Sequence, residues 1–161
     1  MDRPTASYEH DFYAWTQRQA AALRAEAALR SNAPVDWENV AEEIESMGRS
    51  ERDKIESRLE ILLVHLLKWL YCPELRERCE RGWSLTMTEQ RRRLARVLKE
   101  NLSLKQYPAT AFEDVYADAL LNAAKEADVP LKTFPKEPPF TLEQALDPRY
   151  PADLFPVQDD D

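Results

Sequence analysis

The chain has 161 residues, of which 43% are hydrophobic and 32% are charged, so it is long enough to bury one substantial core. Its net charge of −8 argues against nucleic acid and anionic membranes as partners, because both attract cationic surfaces. Only two glycines occur, whereas folds built from hairpins need many turns with positive φ. Ala, Leu, Glu and Arg dominate and favour helices. We therefore predict one all-α domain over residues 1–161, an up-and-down helical bundle of four or five main helices.

Nothing in the sequence indicates a membrane segment. The longest apolar run, residues 61–67, is too short to span a bilayer, and residues 1–12 contain no apolar stretch that resembles a signal peptide. Cys72 and Cys79 form neither a disulfide framework nor a paired zinc motif, which favours reduced thiols. We expect a cytoplasmic protein.

The first predicted helix runs from about Ser7 to Ser31, with Thr5 or Ser7 as its N-cap. Residues 32–34 end it, because Pro34 cannot continue a helix. Its aromatic residues recur at helical spacing and so predict the inward face. That face contains Tyr8, Phe12, Trp15, Gln19, Ala22 and Leu23.

The second predicted helix begins at Trp37 after an Asp36 cap and ends before Pro73. Its apolar stripe stays in phase on both sides of Gly48. We therefore favour one long helix bent at Gly48 over two helices separated there, although glycine costs about 1 kcal/mol relative to alanine in a helix. The stripe consists of Val40, Ile44, Met47, Ile55, Leu59, Leu62, Leu66 and Trp69.

The last part of this helix, Ile61–Tyr71, is apolar except for His65 and Lys68. A helix that is apolar on every side is normally surrounded by other helices, so this segment is predicted to be the centre of the bundle.

Two more long helices and one short helix are predicted downstream. A short helix over Pro73–Arg81 is expected to end at Gly82, and the next helix covers about Ser84–Asn101. A further helix covers about Pro108–Ala127. The predicted inward residues of these two long helices are Met87, Leu94, Val97, Leu98 and Leu102, then Phe112, Tyr116, Ala119, Leu120, Ala123 and Ala127.

The composition changes after residue 128, since seven of the eleven prolines lie in Pro130–Pro156. Large apolar residues in this segment predict that 128–157 wraps across the outside of the bundle rather than staying disordered. Thr141–Leu146 reads as one short helix with a capping box. Residues 1–6 and 158–161 are expected to be disordered.

A carboxylate-histidine set is the first candidate for chemistry. Asp11, Glu43 and His65 are weak candidates for a catalytic or divalent-metal site, because bundles build such sites from inward Glu and His side chains. The Glu-x-x-His motif of di-iron proteins and the H-E-x-x-H motif of zinc hydrolases are both missing. Glu43 flanks the apolar stripe, so it is expected to reach the interior edge, where Arg91 is a suitable partner. The alternative is that His65 only donates a hydrogen bond to a neighbouring carbonyl or carboxylate.

A basic run on the third long helix is the second candidate. Arg92, Arg96 and Lys99 lie on one side of a helix and are able to bind phosphate or an acidic partner. The alternative is a solvated face, partly paired with the acidic residues of 42–56.

Several motifs resemble one bacterial family. They are Y-E-H-D-F-Y-A-W at residues 8–15, A-E-E-I-E-S-M-G-R-S-E at 41–51, L-L-V-H-L-L-K-W at 62–69, G-W-S-L-T-M-T-E-Q-R at 82–91 and F-T-L-E-Q-A-L-D at 140–147. The family is domain of unknown function 29, found largely in cyanobacteria and proteobacteria. The resemblance covers nearly the whole chain and implies a compact helical bundle, but no function.

The same resemblance marks a set of polar positions that suits either a site or a buried ion network between helices. These positions are Asp11, Glu42, Glu43, Glu45, His65, Lys68 and Arg91.

Three function classes follow from the sequence. The first is a non-enzymatic protein-interaction module, working as a homodimer or as an adaptor for another bacterial protein, because no specific catalytic motif is present. The second is a small metal-dependent or acid-base enzyme that uses the Asp11, Glu43 and His65 cluster. The third is a nucleic-acid-associated protein, which the negative net charge argues against. No cofactor is expected apart from the divalent metal of the second class.

Overall fold

The computed structural model describes residues 8–29 and 32–157, and over these residues the chain is helical with no strand. The predicted all-α class with four or five main helices is confirmed. In the described residues no helix is long and apolar enough to cross a membrane. The helices are α1 (Phe12–Ala28), α2 (Trp37–Tyr71), α3 (Arg76–Glu100), α4 (Tyr107–Ala127) and the short α5 (Leu142–Leu146).

The chain groups into two compact units. The first is built from residues up to Ile55 together with Arg96–Tyr107, and the second from Glu56–Ala95 together with the chain from Pro108 onwards. The single domain over 1–161 stays a prediction beside this division. The predictions for residues 1–6 and 158–161 lie outside the described residues.

In the first unit, α1 begins at Phe12, later than the sequence predicted. Asp11 is the N-cap, and its side chain accepts a hydrogen bond from the backbone N–H of Ala14. The predicted caps Thr5 and Ser7 lie outside the described residues. An aspartate at this position satisfies an N–H group that the first turn leaves without a partner.

The face of α1 that packs inward is also different from the prediction. Thr16 and Ala20 are buried, whereas Gln19 and Ala22 are exposed. The aromatic residues instead contact one another at the N-terminal end of the helix, where Tyr8 meets Phe12 and Trp15 edge-on. Small side chains face α2 because the two helices approach closely.

Gly48 is the point of that close approach. A Cβ atom at Gly48 would lie closer than 3.0 Å to Oγ1 of Thr16, which is fully buried. α2 passes through Gly48 without interruption, so the prediction of one long helix is confirmed. The predicted Asp36 cap is confirmed as well, since its side chain accepts from the N–H of Asn39 at 3.2 Å.

The stripe predicted for the first half of α2 does not form the buried face. Val40 and Met47 are 39% and 46% exposed, whereas Ala41 and Gly48 are buried. The prediction is therefore wrong for Val40 and Met47. Close packing against Thr16 requires a small residue on α2, and this requirement prevails over hydrophobicity.

In the second unit, the second half of α2 is surrounded by protein as predicted. α3 runs antiparallel to α2, since Arg58 contacts Gln90 and Trp69 contacts Trp83. α4 runs parallel to α2, because Glu60 contacts Asn122 and, further along both helices, Lys68 contacts Glu126. The fully buried leucines of this part of α2 are Leu59, Leu62, Leu63, Leu66 and Leu67.

The observed α3 differs from the prediction in two respects. A short 3₁₀ turn over Pro73–Leu75 leads directly into α3, which passes through Gly82 instead of ending there. A Cβ atom at Gly82 would have no neighbour within 4 Å, so this glycine serves no close contact. Leu102, predicted to face inward, is 60% exposed because it lies in a 3₁₀ turn after the helix has ended.

The proline-rich segment packs within the second unit. Phe134, Phe140 and Leu154 are buried, and the hydroxyl of Tyr116 donates to the carbonyl of Pro135 at 2.6 Å. The capping box predicted at the start of α5 is present, with Thr141 as the N-cap.

The two glycines predict opposite responses to alanine. We expect Gly48→Ala to lower the free energy of unfolding by about 1–2 kcal/mol, because overpacking outweighs the better helix propensity. Gly82→Ala should raise it by about 0.5–1 kcal/mol through propensity alone. Denaturant unfolding of both variants measures the two values.

A second-site change separates the steric explanation from any other. Thr16→Ala removes the atom that the new Cβ would meet, so it should recover much of the loss in the Gly48→Ala background. Additive effects of the two substitutions would refute the close-contact explanation.

Candidate functional site

Both carboxylate oxygens of Asp11 accept hydrogen bonds within the first unit. Its Oδ1 accepts from the Ser103 hydroxyl at 2.7 Å, and its Oδ2 accepts from the Ser103 N–H at 2.9 Å. With the Ala14 contact, this carboxylate joins the start of α1 to the turn that follows α3. These hydrogen bonds account for the burial of Asp11 without a catalytic or metal-binding role.

The acidic residues of α2 divide into paired and exposed positions. Arg24 of α1 donates to Glu45 at 2.6 Å and to Glu42 at 3.5 Å, and Arg49 also pairs with Glu42. These hydrogen bonds and charges raise the pKa of Arg24. Glu43 is exposed, so the expectation that it reaches the interior edge is wrong.

Asn101 is a buried junction that the sequence analysis missed. It is 0% exposed; its Oδ1 accepts from the Tyr13 N–H at 2.8 Å. Its Nδ2 donates to Glu51 Oε2 and to the Val97 carbonyl, both at 2.9 Å. An asparagine after a helix looks like an ordinary C-terminal residue, and only the burial of Glu51 beside it reveals the junction.

A pocket of about 410 Å³ opens beside this junction. Its walls combine two aromatic rings with three carboxylates and one amide, a set that suits a cation better than an anion. The lining residues are Tyr8, Glu9, Phe12, Glu51, Glu100 and Asn101.

His65 lies in the second unit, where it lines a separate pocket. Its Nδ1 is 2.7 Å from the carbonyl of Ile61, so Nδ1–H donates to that oxygen in the tautomer this contact requires. Burial lowers the pKa of His65, and the nearby charge of Lys68 acts in the same direction, whereas the Ile61 contact and Glu126 oppose it. The neutral imidazole is therefore favoured.

The His65 pocket has a volume of about 370 Å³ and is lined by both polar and apolar side chains. Glu60 accepts a hydrogen bond from Asn122, and Glu126 pairs with the buried Lys68 at 2.7 Å. Lys68 also lies 5.3 Å from the ring of Trp83. The lining residues are Ser57, Glu60, Ile61, Val64, His65, Asn122 and Glu126.

Arg91 is also in the second unit, where it holds the proline-rich segment. It is 7% exposed and donates to the carbonyls of Ala145 at 2.9 Å and Tyr150 at 2.6 Å. The ring of Phe155 lies 5.4 Å from its guanidinium carbon. Burial lowers the pKa of Arg91 to about 10, although Asp147 opposes the shift. Backbone carbonyls, rather than the expected Glu43, are its partners.

The predicted site residues thus have separate settings. Asp11 and Glu43 belong to the first unit, and His65 belongs to the second. Across residues 8–29 and 32–157, no group of three or more His, Cys, Asp and Glu side chains is arranged to hold a metal ion. The metal-dependent or acid-base enzyme stays a prediction, and the described residues offer no such group of ligands in its support.

The basic run of α3 is paired within its own helix. Arg92 and Arg93 both donate to Glu89, which lowers the pKa of that carboxyl, and Arg96 donates to Glu100 at 3.2 Å. The expected pairing with the acidic part of α2 is replaced by these contacts. Exposed pairs of this kind leave the face solvated, and the nucleic-acid role stays a prediction.

These observations define a small α-helical protein in which most of the candidate polar side chains bind partners within their own unit, with no assembled catalytic constellation among the residues described. The chain belongs to the family described as domain of unknown function DUF29, whose model matches residues 7–151. It is similar to an alpha-helical protein of unknown function from Rhodospirillum rubrum, with a TM-score of 0.72 and 25% sequence identity. That similarity covers 91% of this chain and 93% of the other chain. No curated protein matches the chain.

His65 predicts how stability depends on pH. Because its pKa in the folded protein is below the ordinary value of 6.5, the unfolded chain takes up the proton first as the pH falls. Stability should therefore fall below about pH 6.5, and His65→Gln should flatten the change between about pH 7.5 and pH 5.5. Thermal unfolding of both proteins across this pH range measures how stability changes with pH.

The other histidine is a matched control. His10 is exposed, so His10→Gln should keep the pH dependence of the unsubstituted protein. An unchanged slope in His65→Gln would show that His65 is not the responsible group.

Arg91 predicts a localised loss of stability. Arg91→Gln leaves two carbonyls without their donor, so we expect the free energy of unfolding to fall by about 2–3 kcal/mol. The proline-rich segment should also become more sensitive to limited chymotrypsin digestion. Arg92→Gln, which breaks only an exposed pair, should change stability by less than about 0.5 kcal/mol. Equal losses in the two variants would contradict the role assigned to Arg91.

Proposed function

We propose that the chain is a non-enzymatic protein-interaction module that binds through the α2 stripe, defined as Val40, Ile44 and Met47. One observation carries the proposal. These residues recur at helical spacing like a buried face, yet Val40 and Met47 are 39% and 46% exposed. Covering the exposed parts of both side chains would contribute on the order of 2 kcal/mol to binding.

The described part of the chain leaves Val40 and Met47 of the α2 stripe exposed for a structural reason. α1 packs on the neighbouring face of α2, where Thr16 meets Gly48. α3 ends at Glu100, and the next residue bonds to Glu51. The first three turns of α2 precede Glu51 in the helix. α3 ends beside Glu51, so it does not extend alongside those turns to cover the stripe.

The surroundings of Asp11 and Glu43 favour an interaction module over an enzyme. The carboxylate of Asp11 is bound to Ser103 and Ala14, and Glu43 is exposed to solvent. Neither lies in the His65 pocket, so an acid-base mechanism would lack the partners that the sequence suggested.

We place the module in the bacterial cytoplasm as part of the same proposal. Cys72 and Cys79 are free thiols, and burial raises the pKa of Cys72, which keeps it in the unreactive thiol form. Free thiols suit a reducing compartment.

A double substitution in the α2 stripe tests the proposal. Val40→Glu with Met47→Glu should leave the fold intact, because both side chains already meet solvent. The proteins that the unsubstituted chain captures from a bacterial extract, or its own dimer in light scattering, should be lost. The experiment measures captured proteins by mass spectrometry and the mass in solution.

Leu121→Glu is the matched control, since Leu121 is an exposed leucine on α4. This variant should bind as the unsubstituted chain does. A strictly monomeric chain that captures the same proteins with and without the α2 stripe would refute the proposal.

A further inference from the structure

We infer that the partner of the α2 stripe is a basic amphipathic helix, with an apolar ridge that covers the stripe and a Lys or Arg side chain that enters the neighbouring pocket. The inference rests on the proposed function and specifies the chemistry of the partner. Three features of the first unit support it: the charge beside the stripe, the pocket at its end, and the poor fit of a second copy.

The segment of α2 that carries the stripe is itself acidic. From residue 36 to residue 48 there is no Lys or Arg, whereas five residues are acidic: Asp36, Glu38, Glu42, Glu43 and Glu45. Arg24 approaches three of them, which compensates the side of α2 that faces α1. The charges on the other side, at Asp36 and Glu43, have no such compensation from Arg24.

Glu43 is the exposed carboxylate nearest to the stripe. It is three residues after Val40 and four before Met47, so it shares a helix surface with both. Asp36 is four residues before Val40 and extends the same acidic edge. A partner helix that covers the stripe would place its flanking side chains against these carboxylates.

The pocket at the end of the stripe suits a cation. Glu51 lies four residues after Met47, on the same face and about 6 Å further along α2. It lines the pocket of about 410 Å³ with Glu9 and Glu100, opposite the rings of Tyr8 and Phe12. Lys54 pairs with Glu51 at 2.7 Å and Arg96 pairs with Glu100 at 3.2 Å, which leaves Glu9 as the more available carboxylate for an incoming ammonium or guanidinium group.

A second copy of the chain fits this surface less well. In a two-fold symmetric contact through the α2 stripe, each copy presents the same patch. The acidic edges formed by Asp36 and Glu43 would then meet each other, and like charges across an interface oppose association. A basic helix reverses the sign of that interaction.

Two designed peptides test the inference. Both are helices of about 18 residues with the same leucine ridge; one carries lysines beside the ridge and the other carries glutamates. Fluorescence anisotropy should give at least about tenfold tighter binding of the lysine peptide at low ionic strength. This preference should shrink at about 150 mM salt, because salt screens exposed charges.

A charge exchange links the preference to the named carboxylates. Glu43→Lys with Glu100→Lys replaces two exposed carboxylates and breaks only the exposed pair between Glu100 and Arg96, so the fold should be retained. This variant should lose most of its affinity for the lysine peptide and gain affinity for the glutamate peptide. Glu113→Lys, an exposed glutamate of α4, is the control and should keep the original preference.

The outcomes separate this inference from the proposed function. Equal binding of both peptides, abolished by Met47→Glu, would overturn the basic partner but keep the stripe as a docking surface. A dimer lost on Met47→Glu, with no peptide binding, would identify a second copy as the occupant and also overturn the inference. A monomer that binds neither peptide and captures no protein through the stripe would overturn both.

Discussion

The close approach of α1 and α2 at Gly48 is the constraint on which the first unit depends. Because Oγ1 of Thr16 occupies the space of a Cβ atom, α2 must present glycine there and small residues along the same face. This contact sets the rotation of the first half of α2. The rotation in turn leaves Val40 and Met47 exposed, so a packing requirement produces the surface that we propose for binding.

The polar residues that looked like a site are mostly used to hold the fold. Buried polar groups need hydrogen-bond partners, and here the partners are distant in sequence but lie within the same unit. Asp11 joins the start of α1 to Ser103, Asn101 joins Glu51 to α1, and Arg91 binds two carbonyls of the proline-rich segment. His65 differs because it lines an open pocket, yet its Nδ1 is committed to a backbone carbonyl. These contacts account for the burial of Asp11, Asn101 and Arg91 within their own units.

Most predictions that succeeded depended on short-range chemistry. The Asp36 cap and the Thr141 capping box each follow from residues within a few positions of one another. The uninterrupted α2 was predicted from a longer apolar stripe, and it is confirmed although Val40 and Met47 of that stripe are exposed. Predictions that needed the position of a neighbouring element failed. Gly82 resembled a helix end, but a glycine in a helix ends it only when the following residues favour another conformation. The candidate site failed to assemble for a related reason, because spacing cannot show which partner each carboxylate meets.

The sequence by itself determined that the protein is α-helical, where α2 and α4 lie and that the second half of α2 is buried. Composition, helix propensity and apolar periodicity are local properties that the chain carries in any setting. Only the tertiary structure decided which face of the first half of α2 is buried, because that choice depends on the distance between two backbones at Gly48 and Thr16. It also decided that Val40 and Met47, which were predicted to lie in the core, are exposed, and that Asn101 and Arg91 are buried. Those outcomes depend on contacts between residues distant in sequence, which no local pattern encodes.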